Sequence, residues 1–267
     1  MTRPERPIAA DWLALRRAAD TAARDRALWL IDEWTVSAAG PLTVFDIGAG
    51  TGANRAYLEP RLGVASRWVL LDHDAQLLNS PDHGSADRVL GGIGDLDRLV
   101  AAASGERLVT CSALLDLLLT DDLDELAAVL ARHRIPGLFC LTVDGSLRLD
   151  PAHPDDHVVT AAFNDHQSRE QRPGPAAAAY LIARCERLGL AVRQAATPWL
   201  LGSDSAPLVR RLLAERAEAA VEQRAELAGV VAQWLADRQH CLDDAALKVE
   251  VGHVDLWVTP QDVATAR

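Results

Sequence analysis

The residues with the clearest chemical potential form a glycine-rich loop behind an apolar segment. The sequence there is Val44-Phe45-Asp46-Ile47-Gly48-Ala49-Gly50-Thr51-Gly52. Glycine adopts positive φ and lets a ligand approach the backbone, and the N terminus of a following helix offers unpaired N–H groups to a carboxylate or phosphate. The loop therefore predicts a nucleotide-type cofactor site that includes Asp46, Gly48, Gly50 and Gly52.

Two classes of cofactor are compatible with this loop. Gly48-x-Gly50-x-x-Ala53 fits the dinucleotide fingerprint G-x-G-x-x-[GA]. Asp72, at the end of the second predicted strand, could accept ribose hydroxyls in either class, or cap the next helix. An NAD(P)-dependent oxidoreductase is therefore one alternative. A non-catalytic scaffold is another, and it predicts a loop blocked by side chains.

The same residues also carry a more specific resemblance. Gly48-x-Gly50-x-Gly52, with Asp46 two positions earlier, resembles motif I of the class I S-adenosylmethionine-dependent methyltransferases. The resemblance covers about residues 40–145 by motif and the remainder by element order. It implies S-adenosylmethionine as cofactor and S-adenosylhomocysteine as product. The general look is similar to the small-molecule enzymes of the trans-aconitate and type-12 sort, which implies methyl transfer to an O- or N-acceptor.

Further cofactor contacts follow from this resemblance. In Gly94-Asp95-Leu96, behind the third predicted strand, Asp95 would reach the adenine amino group or cap its own helix, and Leu96 would pack on the ring. His73 would flank the adenosine. Ser112 would touch the methionine part or cap a helix. Arg24, on an N-terminal helix, would pair with the methionine carboxylate or lie in an exposed ion pair.

The acceptor is expected beyond the carboxyl ends of the strands, where ligands bind in open α/β sheets. The polar segment 145–175 leaves the predicted fifth strand at that edge. It contains Asn164, His166, Gln167 and Arg172. We predict that Asn164, Gln167 and Arg172 bind the acceptor and that His166 is the general base. A polar surface turn is the alternative for this cluster.

Strand-like and helical patterns alternate after a break at Gly40-Pro41 and predict a parallel sheet covered by helices. We expect an α/β, Rossmann-like, seven-stranded, mostly parallel sheet in one methyltransferase domain over residues 1–267. Its predicted parts are a helical cap (1–40), a cofactor-binding half (41–145) and an acceptor-binding half (146–267). The acceptor-binding half includes a helical insertion at about 200–242. The segment 145–175 shows no period and is predicted to be irregular.

The composition restricts the classes of binding partner that we expect. The net charge is -11 and no Lys/Arg run is present, which disfavours nucleic acid and favours a small-molecule substrate. The 4 cysteines are far apart, so no metal site is predicted. The chain shows neither a signal-peptide pattern nor an apolar run of membrane-spanning length, so we expect a cytoplasmic protein without a membrane association. The apolar faces of 206–240 could line the pocket or form a homodimer.

Overall fold

A computed structural model describes residues 10–32 and 41–261. The sheet has eight strands within these residues, in the order β3-β2-β1-β4-β5-β8-β6, and β7 pairs with β8. The strands are β1 (Leu42–Ile47), β2 (Ser66–Asp72), β3 (Asp87–Leu90), β4 (Glu106–Ser112), β5 (Gly137–Asp150), β6 (Leu190–Ala196), β7 (Trp199–Leu201) and β8 (Lys248–Pro260).

Helices cover the sheet. They are α1 (Ala10–Arg24), α2 (Ala53–Leu58), α3 (Ala75–Leu78), α4 (Ile93–Ala102), α5 (Thr120–His133), α6 (Asp156–Gln167), α7 (Ala177–Arg187), α8 (Ala206–Gln223) and α9 (Ala228–Asp243). Two clusters of buried apolar side chains fill the space between helices and sheet. No helix in the described part is both long and apolar enough to cross a membrane.

Strand direction sets where a ligand can bind. β1 pairs in parallel with β2 and β4, so the chain turns to opposite sides after β1 and β3. Such a switch point leaves a crevice at the carboxyl ends of the strands. The antiparallel strand β8 lies between β5 and β6. The predicted Rossmann-like α/β fold is thereby confirmed, and so is the pair of helices (α8 and α9) before the last strand.

The structure corrects the prediction for the segment 145–175. It is not irregular, because β5 continues to Asp150 and pairs with β8, and α6 follows. Val159 and Ala162, spaced by three residues, form the buried face of this helix. Because many polar residues surround these two positions, the sequence shows no clear apolar face here.

Two other boundaries differ from the prediction. Helix α1 ends at Arg24 and a 3₁₀ turn, Asp25–Leu30, continues it. Residues 1–9 and 33–40 of the predicted cap lie outside the described residues. The segment predicted to open the helical insertion instead forms β7, which pairs with Val249 to Val251 of β8. The sheet therefore has eight strands and not the predicted seven.

Candidate functional site

The glycine loop lies at the switch point between β1 and α2. Gly48, Gly50 and Gly52 all have positive φ, at 62°, 55° and 87°. These values favour glycine because a Cβ would strain the left-handed backbone. The Gly50 N–H donates to Asp72 Oδ2 at 2.8 Å, and the Asp74 N–H donates to Asp72 Oδ1 at 2.9 Å. The buried carboxylate of Asp72 thus joins the two loops that follow β1 and β2.

A cavity of about 390 Å³ opens above this loop. The volume lies in the range of small-molecule and cofactor pockets. Gly48, Gly50 and Asp72 form its floor, together with Ser112 at the end of β4. The cavity continues across the sheet to Val251 on β8, so it spans the ends of five adjacent strands, from β2 to β8.

Eight residues selected from the sequence line this cavity, and six do not. Those in the wall are Arg24, Gly48, Gly50, Asp72, His73, Ser112, Gln167 and Arg172. Those outside it are Asp46, Gly52, Asp95, Leu96, Asn164 and His166. Each residue of the second group has a structural position that explains its absence from the wall.

Asp46 and Gly52 support the loop from below. Asp46 is fully buried, and Asn54 Nδ2 donates to its Oδ1 at 2.6 Å. Burial raises the pKa of Asp46 to about 7. Gly52 is the residue before α2, and a Cβ there would lie 2.8 Å from Nδ1 of the buried His83. The third glycine is therefore required for packing against His83.

Asp95 and Leu96 belong to α4. Asp95 Oδ2 accepts the Gly92 N–H at 3.3 Å and Oδ1 accepts from Arg98 at 3.2 Å, so this carboxylate caps its own helix. Leu96 is fully buried in the apolar layer between α4 and the sheet. The structure does not bring either residue to an adenine site.

His166 and Asn164 point away from the cavity because residues 156–167 are helical. On α6, Phe163 and Gln167 share the face that lines the cavity, as their spacing of four requires. His166 Nε2 lies 3.3 Å from Glu222 Oε2 on α8. Asn164 Nδ2 donates to the Gly145 carbonyl at 2.9 Å. His166 thus holds two helices together and does not face the cavity.

Helix α1 forms the roof. Asp20 accepts a bidentate pair of hydrogen bonds from Arg16, with Nε to Oδ2 at 2.9 Å, and accepts the indole N–H of Trp199 at 3.0 Å. Arg24 is buried, stacks on Tyr57 at 3.9 Å and donates from Nη2 to Asn54 Oδ1 at 2.9 Å. Its buried Nε has no hydrogen-bond partner among the residues that the structure describes.

Among the titratable wall residues that were not selected from the sequence, three are a buried carboxyl, a buried imidazole and a buried guanidinium. The first is Asp116, in the 3₁₀ turn Leu115–Leu117 behind β4. Burial raises its pKa to about 6. The only signal in the sequence was a single carboxylate inside the run Leu114-Leu115-Asp116-Leu117-Leu118.

The second is His253 on β8. Its ring Nδ1 lies 3.0 Å from the Val251 carbonyl and must donate to it, which leaves the lone pair on Nε2. Burial lowers the pKa of His253 to about 3, with a further contribution from the charges of Arg16 and Arg216. The imidazole is therefore neutral at physiological pH.

The third is Arg216 on α8. It occupies a position on the buried face of the helix together with Leu212, Leu213 and Ala220. Burial lowers its pKa to about 10, so it stays charged at neutral pH. An arginine at an apolar position of a helical pattern was the signal that sequence reasoning missed.

A bulge in β5 directs one of its side chains into the cavity. The pairing of β5 with β8 shifts register between Phe139 and Thr142, and Leu141 has a positive φ of 55°. Asp255 Oδ1 accepts the freed Leu141 N–H at 2.7 Å. Bulges commonly redirect a side chain near a site. Here Leu141 lines the cavity.

Similarity is found among solved structures. The cyclopropane synthase MmaA2 from Mycobacterium tuberculosis superposes with a TM-score of 0.50 at 13% identity, covering 94% of both chains. The mycolic acid cyclopropane synthase CmaA1 with bound SAH has a TM-score of 0.45 at 13% identity, covering 87% of this chain and 84% of that one. A putative sarcosine dimethylglycine methyltransferase from Galdieria sulphuraria has a TM-score of 0.43 at 12% identity, covering 88% and 86%.

No protein-family model matches the sequence. No curated protein sequence matches it either. At 13% identity the likeness to MmaA2 concerns the fold alone. This chain has a Rossmann-like α/β fold, which it shares with that synthase.

Proposed function

We propose that the protein binds S-adenosylmethionine in the cavity above the glycine loop and transfers its methyl group to a small-molecule O- or N-acceptor. The observation that carries the proposal is the cavity itself, because its floor combines the backbone of Gly48 and Gly50 with the carboxylate of Asp72. S-adenosylmethionine would supply an electrophilic methyl group on a sulfonium.

The residues of the cavity fit this cofactor at its ribose and methionine ends. Each oxygen of Asp72 accepts one backbone N–H and keeps a second lone pair for a ribose hydroxyl. Arg24 has an unpartnered Nε in the wall and could pair with the methionine carboxylate. A Cβ on Gly50 would lie 3.4 Å from Leu13 of α1 and 3.9 Å from the Gly48 carbonyl oxygen, so glycine keeps the space between the loop and the roof open.

The sheet order favours this cofactor over NAD(P). In the dinucleotide-binding fold the strand order is 3-2-1-4-5-6. Here an antiparallel β8 is inserted between β5 and β6. The scaffold alternative predicts a blocked loop without a cleft. Leu114 does pack on Gly48, where a Cβ would lie 2.9 Å from its side chain, but a cavity of about 390 Å³ remains beside it.

The chemistry requires alignment of acceptor and methyl group and exclusion of water, which the roof of α1 and the apolar wall provide. An O- or N-acceptor also needs a group that takes its proton. Asp116 lines the cavity and has a pKa of about 6, close to the value that suits a general base at neutral pH. We therefore move the base assignment from His166 to Asp116.

Calorimetric titration with S-adenosylhomocysteine tests the location of the site. Asp72→Ala should weaken binding at least about tenfold, because it removes the ribose acceptor and loosens the Gly50 loop. His73→Ala, at the half-exposed rim, should weaken it about two- to fivefold. Asp87→Ala on the outer strand β3, where the carboxylate pairs with Arg67, should leave binding unchanged. Equal affinity of the wild type and Asp72→Ala would remove the cofactor from this loop.

A further inference from the structure

Among the described residues, the guanidinium of Arg216 is a buried charge without a counter-charge. The residue is only 4% exposed, and its Nε and Nη1 have no hydrogen-bond partner. No ion pair joins it to any residue of the described ranges 10–32 and 41–261; its one resolved contact is a stack on Phe163, at 4.1 Å. Burying an unpaired ion costs several kcal/mol, so such a group normally has a partner.

The acidic residues nearby do not supply that partner. Glu215, the next residue on α8, also lines the cavity, but Arg211 Nε binds its carboxylate at 2.8 Å. Asp20 on the roof is held by Arg16 and Trp199. Asp116 is a wall residue whose carboxyl interacts through space with Arg16 rather than with Arg216.

The unpaired charge at this end of the cavity is therefore positive. Arg16 from α1 and Arg216 from α8 both lower the pKa of His253, so both guanidiniums act on the same imidazole. His253 is itself neutral, and Gln167 on α6 is a further polar side chain of the wall. An anion placed here would meet the unpaired guanidinium of Arg216, whereas Arg16 is already paired with Asp20.

The strand order separates this end from the proposed cofactor site. Arg216 neighbours β8, which is three strands away from β1 in the order β1-β4-β5-β8. With neighbouring strands about 4.8 Å apart, the two ends are separated by about 14 Å. The wall between them is largely apolar and is formed by Leu141, Val143, Phe163, Trp199, Leu212 and Val251.

We propose that the methyl acceptor is a carboxylic acid with an apolar body and that the guanidinium of Arg216 binds its carboxylate. The planar fork of arginine matches a carboxylate with two parallel N–H···O bonds. The apolar wall would hold the carbon skeleton. This inference rests on the proposed function, since it names the substrate class of the same cavity.

Calorimetry on the full chain tests this with two carboxylates, hexanoate and 3-phenylpropanoate, and with their neutral amides, hexanamide and 3-phenylpropanamide. The carboxylates should bind the wild type more tightly than the amides do. Arg216→Met should weaken the carboxylates about 10- to 100-fold and leave the amides within about threefold. Arg210→Met is the matched control, because Arg210 lies on the same helix with its charge on the surface against Asp243.

Three results would overturn the proposal: no binding of either carboxylate to the wild type, equal binding to Arg216→Met, or amides that bind as well as carboxylates. The ligand-free Arg216→Met protein should unfold at the same or a higher temperature, because an unpaired buried charge is removed. If it does not fold, Arg216→Lys decides, since it keeps the charge but loses the fork. Carboxylate affinity unchanged in that variant contradicts the proposal.

Binding of S-adenosylhomocysteine in the same preparations separates the two claims. Cofactor binding without carboxylate binding overturns the acceptor class and leaves the methyl-donor assignment standing. Carboxylate binding that depends on Arg216, without cofactor binding, overturns the methyl-donor assignment and leaves the carboxylate site standing.

Discussion

Asp116 is a carboxyl group held among leucine side chains at the cavity wall, and its proton affinity follows from that position. Burial disfavours the ionised form and raises the pKa from 3.8 to about 6. Between these two pH values the folded protein binds this proton more tightly than the unfolded chain does. The contribution of Asp116 to stability is therefore present below about pH 4 and is lost as the pH rises through about 6.

Asp116→Asn removes this dependence. Relative to the wild type, the variant should gain up to about 3 kcal/mol in the free energy of unfolding between about pH 4 and about pH 7. Urea unfolding across that range measures the difference. Asp121→Asn, at an exposed position of α5, is the control and should show no comparable trend. A difference that does not vary with pH would mean that burial does not raise the pKa of Asp116.

At the scale of elements, the attachment of α1 determines how the cavity is covered. Asp20 of α1 joins the roof to β7 by accepting the indole N–H of Trp199, and it also holds Arg16, which stacks on the same indole. Asp20→Ala leaves both donors without their acceptor at a cost of about 1–3 kcal/mol. Hydrogen exchange of residues 10–24 should become faster, while exchange in β1 stays unchanged.

The control for this prediction removes an exposed ion pair made by the same helix. Arg17 and Asp82 form an exposed pair at 3.9 Å, and such surface pairs contribute about 0–1 kcal/mol. Asp82→Ala should therefore leave exchange in α1 nearly unchanged. If Asp20→Ala and Asp82→Ala behave alike, the Asp20 network does not hold the roof.

Local sequence patterns were sufficient for the elements of the cofactor half. Alternation of apolar runs and helical segments located β1, β2 and β4, and the glycine spacing placed the loop. The helix α6 was missed because a short buried face is not visible among polar neighbours. The same error placed His166 in the cavity, since in an irregular segment all its polar side chains could face one ligand.

At the scale of the whole molecule, the cavity depends on contacts between residues far apart in sequence. Its wall joins α1, the glycine loop, the turn behind β4, α6, α8 and β8. Asp116, Arg216 and His253 meet there only because β8 inserts between β5 and β6 and α8 packs against α6. No local pattern contains that information, so the sequence located the glycine loop but not the wall around Arg216 and His253.

The central claim is that this cavity holds S-adenosylmethionine. Calorimetric titration of the wild-type protein with S-adenosylhomocysteine, NAD⁺ and NADPH, in parallel, tests it most directly. We expect one S-adenosylhomocysteine per chain and a rise of about 2.7 kcal/mol in the free energy of unfolding at a ligand concentration 100 times Kd. Neither nicotinamide cofactor should bind. Absence of S-adenosylhomocysteine binding, or binding of NAD⁺ or NADPH in its place, would contradict the account.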